Sequence, residues 1–153
     1  MGVNGDRETP PWSIREARAD DYDAIAELWL ASGLPARIRG RDCREAFVRQ
    51  RARAPALHLV AIAGERVIGV VLGSHDGRKG WINRLAVVPE HRRRGIAAAL
   101  VRACEKAIRA EGIEIVAALV EPASRASGAL FEELGYREDV PVRYFRKLSR
   151  PDA

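Results

Sequence analysis

Sulfur is scarce in this chain of 153 residues, which has two cysteines and one methionine. Cys43 and Cys104 lie far apart and match no metal-binding or redox spacing, so the sequence offers no disulfide framework and no cysteine metal site. Each reads as a buried free thiol in a helical pattern, as expected of an intracellular, cytoplasmic protein. Long apolar runs are missing too: none approaches the ~18 residues of a membrane span. Met1 to Pro11 is polar, carries two prolines and lacks the apolar stretch of a secretory signal. It reads as a disordered tail (1–11) ahead of a single domain (12–150). Lysine is almost absent, with only Lys79, Lys106 and Lys147 among 26 basic residues. Internal repeats and low-complexity blocks are also lacking, which leaves an ordinary globular domain.

At this length roughly 70% of the unfolded chain's surface can be buried, enough for a self-sufficient core. The net charge of +5 favours an anionic partner without naming it.

Apolar spacing predicts the elements in order. A first strand covers Trp12 to Ala17. Asp20 and Asp21 offer N-caps to a helix carrying Ile25, Leu28 and Trp29 and ending at Gly33. A second helix covers Asp42 to Ala52, with Cys43, Phe47 and Val48 on its apolar side. Strands Leu57 to Ala63 and Arg66 to Leu72 flank a Gly64-Glu65 turn. The polar loop Ser74 to Gly80 leads into a strand from Trp81 to Val88. A helix then repeats Ile96, Leu100, Val101, Cys104, Ala107 and Ile108 on one face, stopped by Gly112. Ile113 to Val120 is an apolar strand, and Ser124 caps a short helix with Leu130, Phe131 and Leu134. Tyr136 to Val140 and Arg143 to Leu148 are predicted to close the sheet as a hairpin. The order is that of a mixed α/β sheet with helices on its faces.

One junction carries chemistry. Strand, basic turn, glycine and helix together form an anion site: the first helical amides lack partners and bear the positive end of the helix dipole. Gly95 leaves the backbone approachable, Ala97, Ala98 and Ala99 keep the first turn bare, and Arg92, Arg93 and Arg94 add charge. A pyrophosphate suits this site. The Rossmann fingerprint wants three glycines where one is present, and a phosphate loop's lysine with Ser or Thr is missing.

The run Arg92-Arg93-Arg94-Gly95-Ile96-Ala97 resembles the GNAT acetyltransferase pattern Gln/Arg-x-x-Gly-x-Gly/Ala. Leu85-Ala86-Val87 and Pro89 precede it, and a long helix ending at Gly112 follows. Ala129-Leu130-Phe131-Glu132-Glu133-Leu134-Gly135-Tyr136 is similar to that family's second signature. The resemblance runs from about Asp20 to Leu148 and implies a GNAT fold: a mixed, mostly antiparallel sheet of six to seven strands with about four helices. It further implies acetyl-CoA as co-substrate. Its pantetheine arm would enter a gap beside the strand Trp81 to Val88, bonded by backbone groups of Leu85, Ala86 and Val87. The pyrophosphate would sit on amides of Arg93 to Ala98, Ile96 included. Ser124 would contact CoA, and Phe131 would pack beside the pantetheine. A homodimer is also compatible with the resemblance.

Amide formation needs a neutral amine, whereas a lysine-type amine with pKa ~10.4 is protonated at neutral pH. A base must therefore act, directly or through water. The family's usual tyrosine acid is Phe131 here, its common asparagine is Ser124, and a glutamate found in acetylases of ribosomal-protein N-termini is Leu119. The remaining catalytic candidates are Glu121, after the fifth strand, and Asn83, which can hold a water but cannot take a proton. His75 and Asp76 read as a solvated turn, His58 as a strand residue, His91 as a surface turn residue and Tyr144 as sheet packing. Metal ligands are not expected. Two alternatives compete with the enzyme: a noncatalytic acyl-CoA-binding or regulatory domain of the same fold, and a nucleic-acid binder using Arg37, Arg39, Arg41, Arg44, Arg49, Arg51 and Arg53. The second lacks the stacking aromatics that grip single strands, since Phe47 fits the helix's apolar face. On the family resemblance these arginines line the acceptor side and favour an acidic amine substrate. Neither nucleic acid nor membrane is an expected partner.

Overall fold

In the computed structural model, which describes residues 10–151 and 153, alternating apolar residues build one five-stranded sheet. The strands are β1 (Ser13–Glu16), β2 (His58–Ala63), β3 (Arg66–His75), β4 (Lys79–Val87) and β5 (Ile115–Ala118), in that spatial order. The first four pair antiparallel and β5 runs parallel to β4. The helices are α1 (Tyr22–Ala31), α2 (Arg44–Arg53), α3 (Ile96–Ala110) and α4 (Arg125–Glu133).

The sheet is a core on both faces because β3 alternates. Gly69 and Gly73 present bare backbone to α3, while Ile68, Val70 and Leu72 turn to the opposite face, where α1 packs. The apolar stripe of α3 is buried as its spacing predicts: Ile96, Leu100, Val101, Cys104 and Ile108 all lie in the core. Burial pushes the Cys104 thiol up to about 12, so it is inert as a nucleophile. On the other face Tyr22 of α1 and Phe47 of α2 pack with ring centres 5.8 Å apart.

Several boundaries move for local reasons. Asp21 does not cap α1 with its side chain; its carboxylate instead closes the preceding turn, Ala19–Asp21, by accepting the Arg18 amide at 2.6 Å, and takes the Arg15 guanidinium at 2.7 and 2.9 Å. The second helix starts at Arg44, not Asp42, because Asp42 is committed elsewhere. Cys43 thus becomes a half-buried N-cap, and Val48 faces solvent. The strands around the polar loop are longer than predicted, since Asp76 closes the turn by accepting the Arg78 and Lys79 amides. The fifth strand is shorter, only four residues.

The closing hairpin is absent, so the sheet has five strands among the described residues rather than six to seven. Residues 137–149 form no strand, and Val140, Val142, Tyr144 and Phe145 stand exposed. Pro141 withholds a backbone donor midway, and these apolar side chains stay exposed among the described residues. The predicted tail, 1–11, lies outside the described residues except for Pro10 and Pro11, which are exposed coil.

His58 supplies a pH dependence. It is buried at the start of β2; its Nδ1 donates to the Ala54 carbonyl at 3.1 Å, and its Nε2 has no partner among the described residues. Desolvation lowers its pKa from 6.5. The unfolded chain therefore takes up this proton first, and stability falls as pH drops below about 6.5, by at most about 1.4 kcal/mol per pH unit. Urea melts between pH 7.5 and 5.5 should show this slope, and His58→Phe should flatten it.

Candidate active site

The sheet opens at one place. β4 and β5 pair from Lys79 with Ile115 to Ile82 with Ala118, and no further. Beyond Ile82 the outer edge of β4 is unpaired among the described residues. On the inner edge Val70 pairs with Ala86 and Leu72 with Asn83, so Arg84 and Leu85 together oppose Val71. This β-bulge sharpens the bend of β4 just where it parts from β5. Arg84 occupies it with φ +50°, a left-handed conformation costing a non-glycine residue roughly 1–2 kcal/mol. Asn83, Leu85, Ala86 and Val87 all lie along this open stretch.

The basic turn follows at the same end. Pro89–His91 forms one helical turn, and the chain then passes Arg93 at φ +62° and Gly95 at φ +77° before entering α3. Space in front of Gly95 is open, with no atom within 4 Å of where a Cβ would be. It is the backbone conformation that calls for glycine there, with room for an approaching ligand besides. Six successive amides, Arg93 to Ala98, have no acceptor among the described residues; the first bond into α3 is Ala99 to the Gly95 carbonyl at 3.0 Å. Arg92, Arg93 and Arg94 are exposed and meet no carboxylate among the described residues. Arg94 lies 3.5 Å from Nδ1 of His91. Undonated amides, a helix N-terminus and free guanidiniums make an anion cradle, and a diphosphate fits its donor set.

Glu121 is exposed three residues past Ala118, the last paired position of β5, and Asn83 is exposed one residue past Ile82. Both therefore lie beyond the last β4–β5 pair, Asn83 within β4 and Glu121 in the loop that follows β5. Asn83 already donates to the Ser74 hydroxyl at 3.2 Å. Ser124 precedes α4 without capping it, its side chain exposed and unbonded among the described residues. Phe131 is buried edge-on against Tyr136, ring centres 5.1 Å apart. The Tyr136 hydroxyl donates to Glu105 at 3.0 Å, and burial with this carboxylate raises its pKa.

Other sequence candidates fall away from the split. At the opposite end of β4, His75 accepts the Gly77 amide on Nδ1 at 3.0 Å and donates from Nε2 to Glu111 at 2.6 Å. Tyr144 is exposed, not packed in a sheet. Among the described residues no group of three His, Cys, Asp or Glu converges on a metal site, and no helix is long and apolar enough to cross a membrane.

Residues 13–136 match the Acetyltransferase (GNAT) family. The chain belongs to that family. By membership it is an acyltransferase, and its relatives agree. An acetyltransferase of Photorhabdus laumondii is 34% identical over 125 residues, covering 82% of this chain and 86% of that one. One of Pectobacterium atrosepticum is 33% identical over 124 residues, covering 80% and 86%. Among solved structures, the PaiA N-acetyltransferase of Thermoplasma acidophilum, in complex with coenzyme A, superposes with a TM-score of 0.76 at 20% identity, covering 84% of this chain and 91% of that one. The aminoglycoside acetyltransferase AAC(6')-Iy, in complex with a CoA bisubstrate analogue, gives 0.72 at 21% identity over 90% and 98%. At these identities the two structures establish the shared fold.

The sequence reading missed two residues. The Arg84 guanidinium forks the Asp42 carboxylate, Nε at 3.1 Å and Nη2 at 2.7 Å, with side chains only 17% and 9% exposed. An arginine inside a strand carries no sign that it holds a bulge. Asp42 gave a weak one, as a lone acid within an arginine-rich loop.

Proposed function

We propose that this GNAT protein is an N-acetyltransferase, passing the acetyl group of acetyl-CoA to a primary amine of a small molecule or protein within a ternary complex. The observation that carries this reading is the anion cradle at the end of a split β4, with six amides free to donate to a diphosphate beside an unpaired strand edge. Amides from Arg93 to Ala98 and the guanidiniums of Arg92 to Arg94 would hold the phosphates. Backbone groups of Leu85 to Val87 would hold the pantetheine and polarise the acetyl carbonyl, with Ser124 and Phe131 lining the far side. The amine nitrogen forms a bond to the carbonyl carbon, the carbon–sulfur bond breaks, and its electron pair leaves with the thiolate. Glu121 takes the amine proton through a water held by Asn83. Phe131 has no proton to give, and none is essential, because a thiol of pKa ~8.5 can leave as its anion.

The deciding experiment is a calorimetric titration with acetyl-CoA, beside an Arg93→Glu, Gly95→Glu double variant, followed by a panel of amines. Saturable binding lost in the variant, with turnover of an amine, supports the enzyme. Binding without any turnover favours the noncatalytic acyl-CoA-binding reading, and no binding by the unmodified chain ends both.

We further propose that residues 12–150 act as one cytoplasmic domain, that acceptors are acidic, and that the protein is a homodimer. The arginines of residues 37–53 support the acidic acceptor. The free outer edge of β5 supports the dimer, together with exposed Tyr144 and Phe145, 69% and 78% accessible, in a segment rich in strand-forming residues. Light scattering should give twice the chain mass, and a chain truncated after Tyr136 should run as a monomer; an unchanged mass on truncation rejects this interface.

A further inference from the structure

Asp42 is the meeting point of three elements. One carboxylate oxygen accepts both the Arg84 guanidinium and the Arg37 amide, each at 2.7 Å; the other accepts Nε of Arg84 at 3.1 Å. Its own carbonyl accepts the Tyr22 hydroxyl from α1 at 2.9 Å, and its amide donates to the Arg37 carbonyl at 3.0 Å. Tyr22 is covered in turn by Arg44 of α2, the guanidinium 4.8 Å from the ring centre, and Arg44 pairs with Asp23 of α1. The loop before α2 is therefore fastened to α1 through Tyr22, and to the β4 bulge through Arg84 alone among these bonds.

Arg84 is an unusual residue for that bulge. Glycine or asparagine adopts φ +50° more easily. What arginine adds is reach and a planar fork, which matches a carboxylate with two parallel bonds. Its charge is also spent there. A buried pair of this kind is weak support for stability, because desolvation offsets attraction. Its value lies in fixing geometry.

From this we infer that Asp42 and Arg84 are positioning residues. Their ion pair latches the loop of residues 34–43 to the bulge, setting the distance between a bound amine and the thioester carbonyl held by Leu85 to Val87. The catalytic part of this inference rests on the proposed acetyl transfer; the latch does not. Asp42 and Arg84 touch no reacting atom. They act by holding the acceptor wall against the strand that presents the acetyl group, where a displacement of about 1 Å costs about a hundredfold in rate.

The test compares Asp42→Asn, Arg84→Gly, Arg84→Lys and the Asp42→Asn, Arg84→Gly double variant. Glycine keeps the left-handed bulge while removing the fork, so Arg84→Gly carries the test even if Asp42→Asn fails to fold. Three quantities are read: amide hydrogen exchange of residues 34–43, the Kd of acetyl-CoA, and kcat/KM for an amine. The expected result for Asp42→Asn and Arg84→Gly is at least tenfold faster exchange in that segment, a Kd within twofold of the parent, and a tenfold or greater loss in kcat/KM. Arg84→Lys falls between, and the double variant is no worse than the poorer single. Unchanged exchange in Arg84→Gly, or losses that multiply in the double variant, overturns the latch. A parent chain that binds no acetyl-CoA removes the catalytic reading instead, and the exchange data still decide the latch.

Discussion

The Arg93→Glu, Gly95→Glu variant should bind acetyl-CoA roughly 30- to 150-fold more weakly than the parent chain. The cradle holds no compensating acid to lose: its amides are undonated and its three arginines meet no carboxylate among the described residues. Reversing Arg93 changes the local charge by two and adding a glutamate at Gly95 by one more, all within a few ångströms of two bound phosphates. At ~6 Å, with near-aqueous dielectric and physiological screening, these changes sum to roughly 2–3 kcal/mol, which is the expected factor in Kd. Two controls separate charge from strain. Glu at φ +77° is strained whatever its charge, so Gly95→Asn, a neutral residue tolerant of that conformation, should keep most of the affinity. Arg93→Glu alone introduces no new backbone problem, because Arg93 already sits at φ +62°, and should account for about tenfold. The parent's affinity should also fall with added salt and the variant's much less. An affinity indifferent to both charge and salt would place the phosphates away from this turn.

That the turn could be located in advance, while the latch beside it could not, follows from what sequence records. Local patterns are legible. The stripe Ile96, Leu100, Val101, Cys104 and Ile108 gives α3 its face, Gly64-Glu65 gives the hairpin, and Arg92 to Ala97 gives the basic turn that enters α3, because each depends on neighbours a few residues apart. The Arg84–Asp42 pair joins residues 42 positions apart, and the bulge that brings them together is a mismatch of register between two strands. Neither leaves a local mark. Asp42 was misread as the start of α2 for the same reason: an aspartate before a helical stripe looks like a cap until its distant partner is known. The final hairpin erred in the other direction. Tyr136, Val140, Tyr144 and Phe145 are residues that favour strands, but such composition says only that a segment can pair, not that its own domain offers an edge.

Substituting Gly73 by valine should have a large effect on the fold. β3 lies against α3, and at Gly73 an added Cβ would stand 2.5 Å from Sγ of Cys104, 3.1 Å from the Leu57 carbonyl oxygen and 3.2 Å from the Leu57 Cβ. Only the first of these neighbours can swing aside. The second belongs to the backbone of the turn leading into β2, and Cys104 itself is fully buried on α3, its thiol facing that same carbonyl at 3.7 Å. Valine adds two further methyl groups to a wall already closed, so helix and sheet must separate. Overpacking of this kind costs typically 1–3 kcal/mol, and the backbone contact puts Gly73→Val at about 3 kcal/mol, or a fall of roughly 6–12 °C in Tm for a domain of this size. The cause can be isolated by making room. In Gly73→Ala, Cys104→Ala the sulfur is gone and the new methyl occupies part of its space, so the pair should lose less than the two single changes added together. The same substitution at Gly64, φ +60° with nothing within 4 Å, meets strain but no collision and should cost less than Gly73→Val. A Gly73→Val chain as stable as its parent would mean that α3 rides further from the sheet than the glycines of β3 imply.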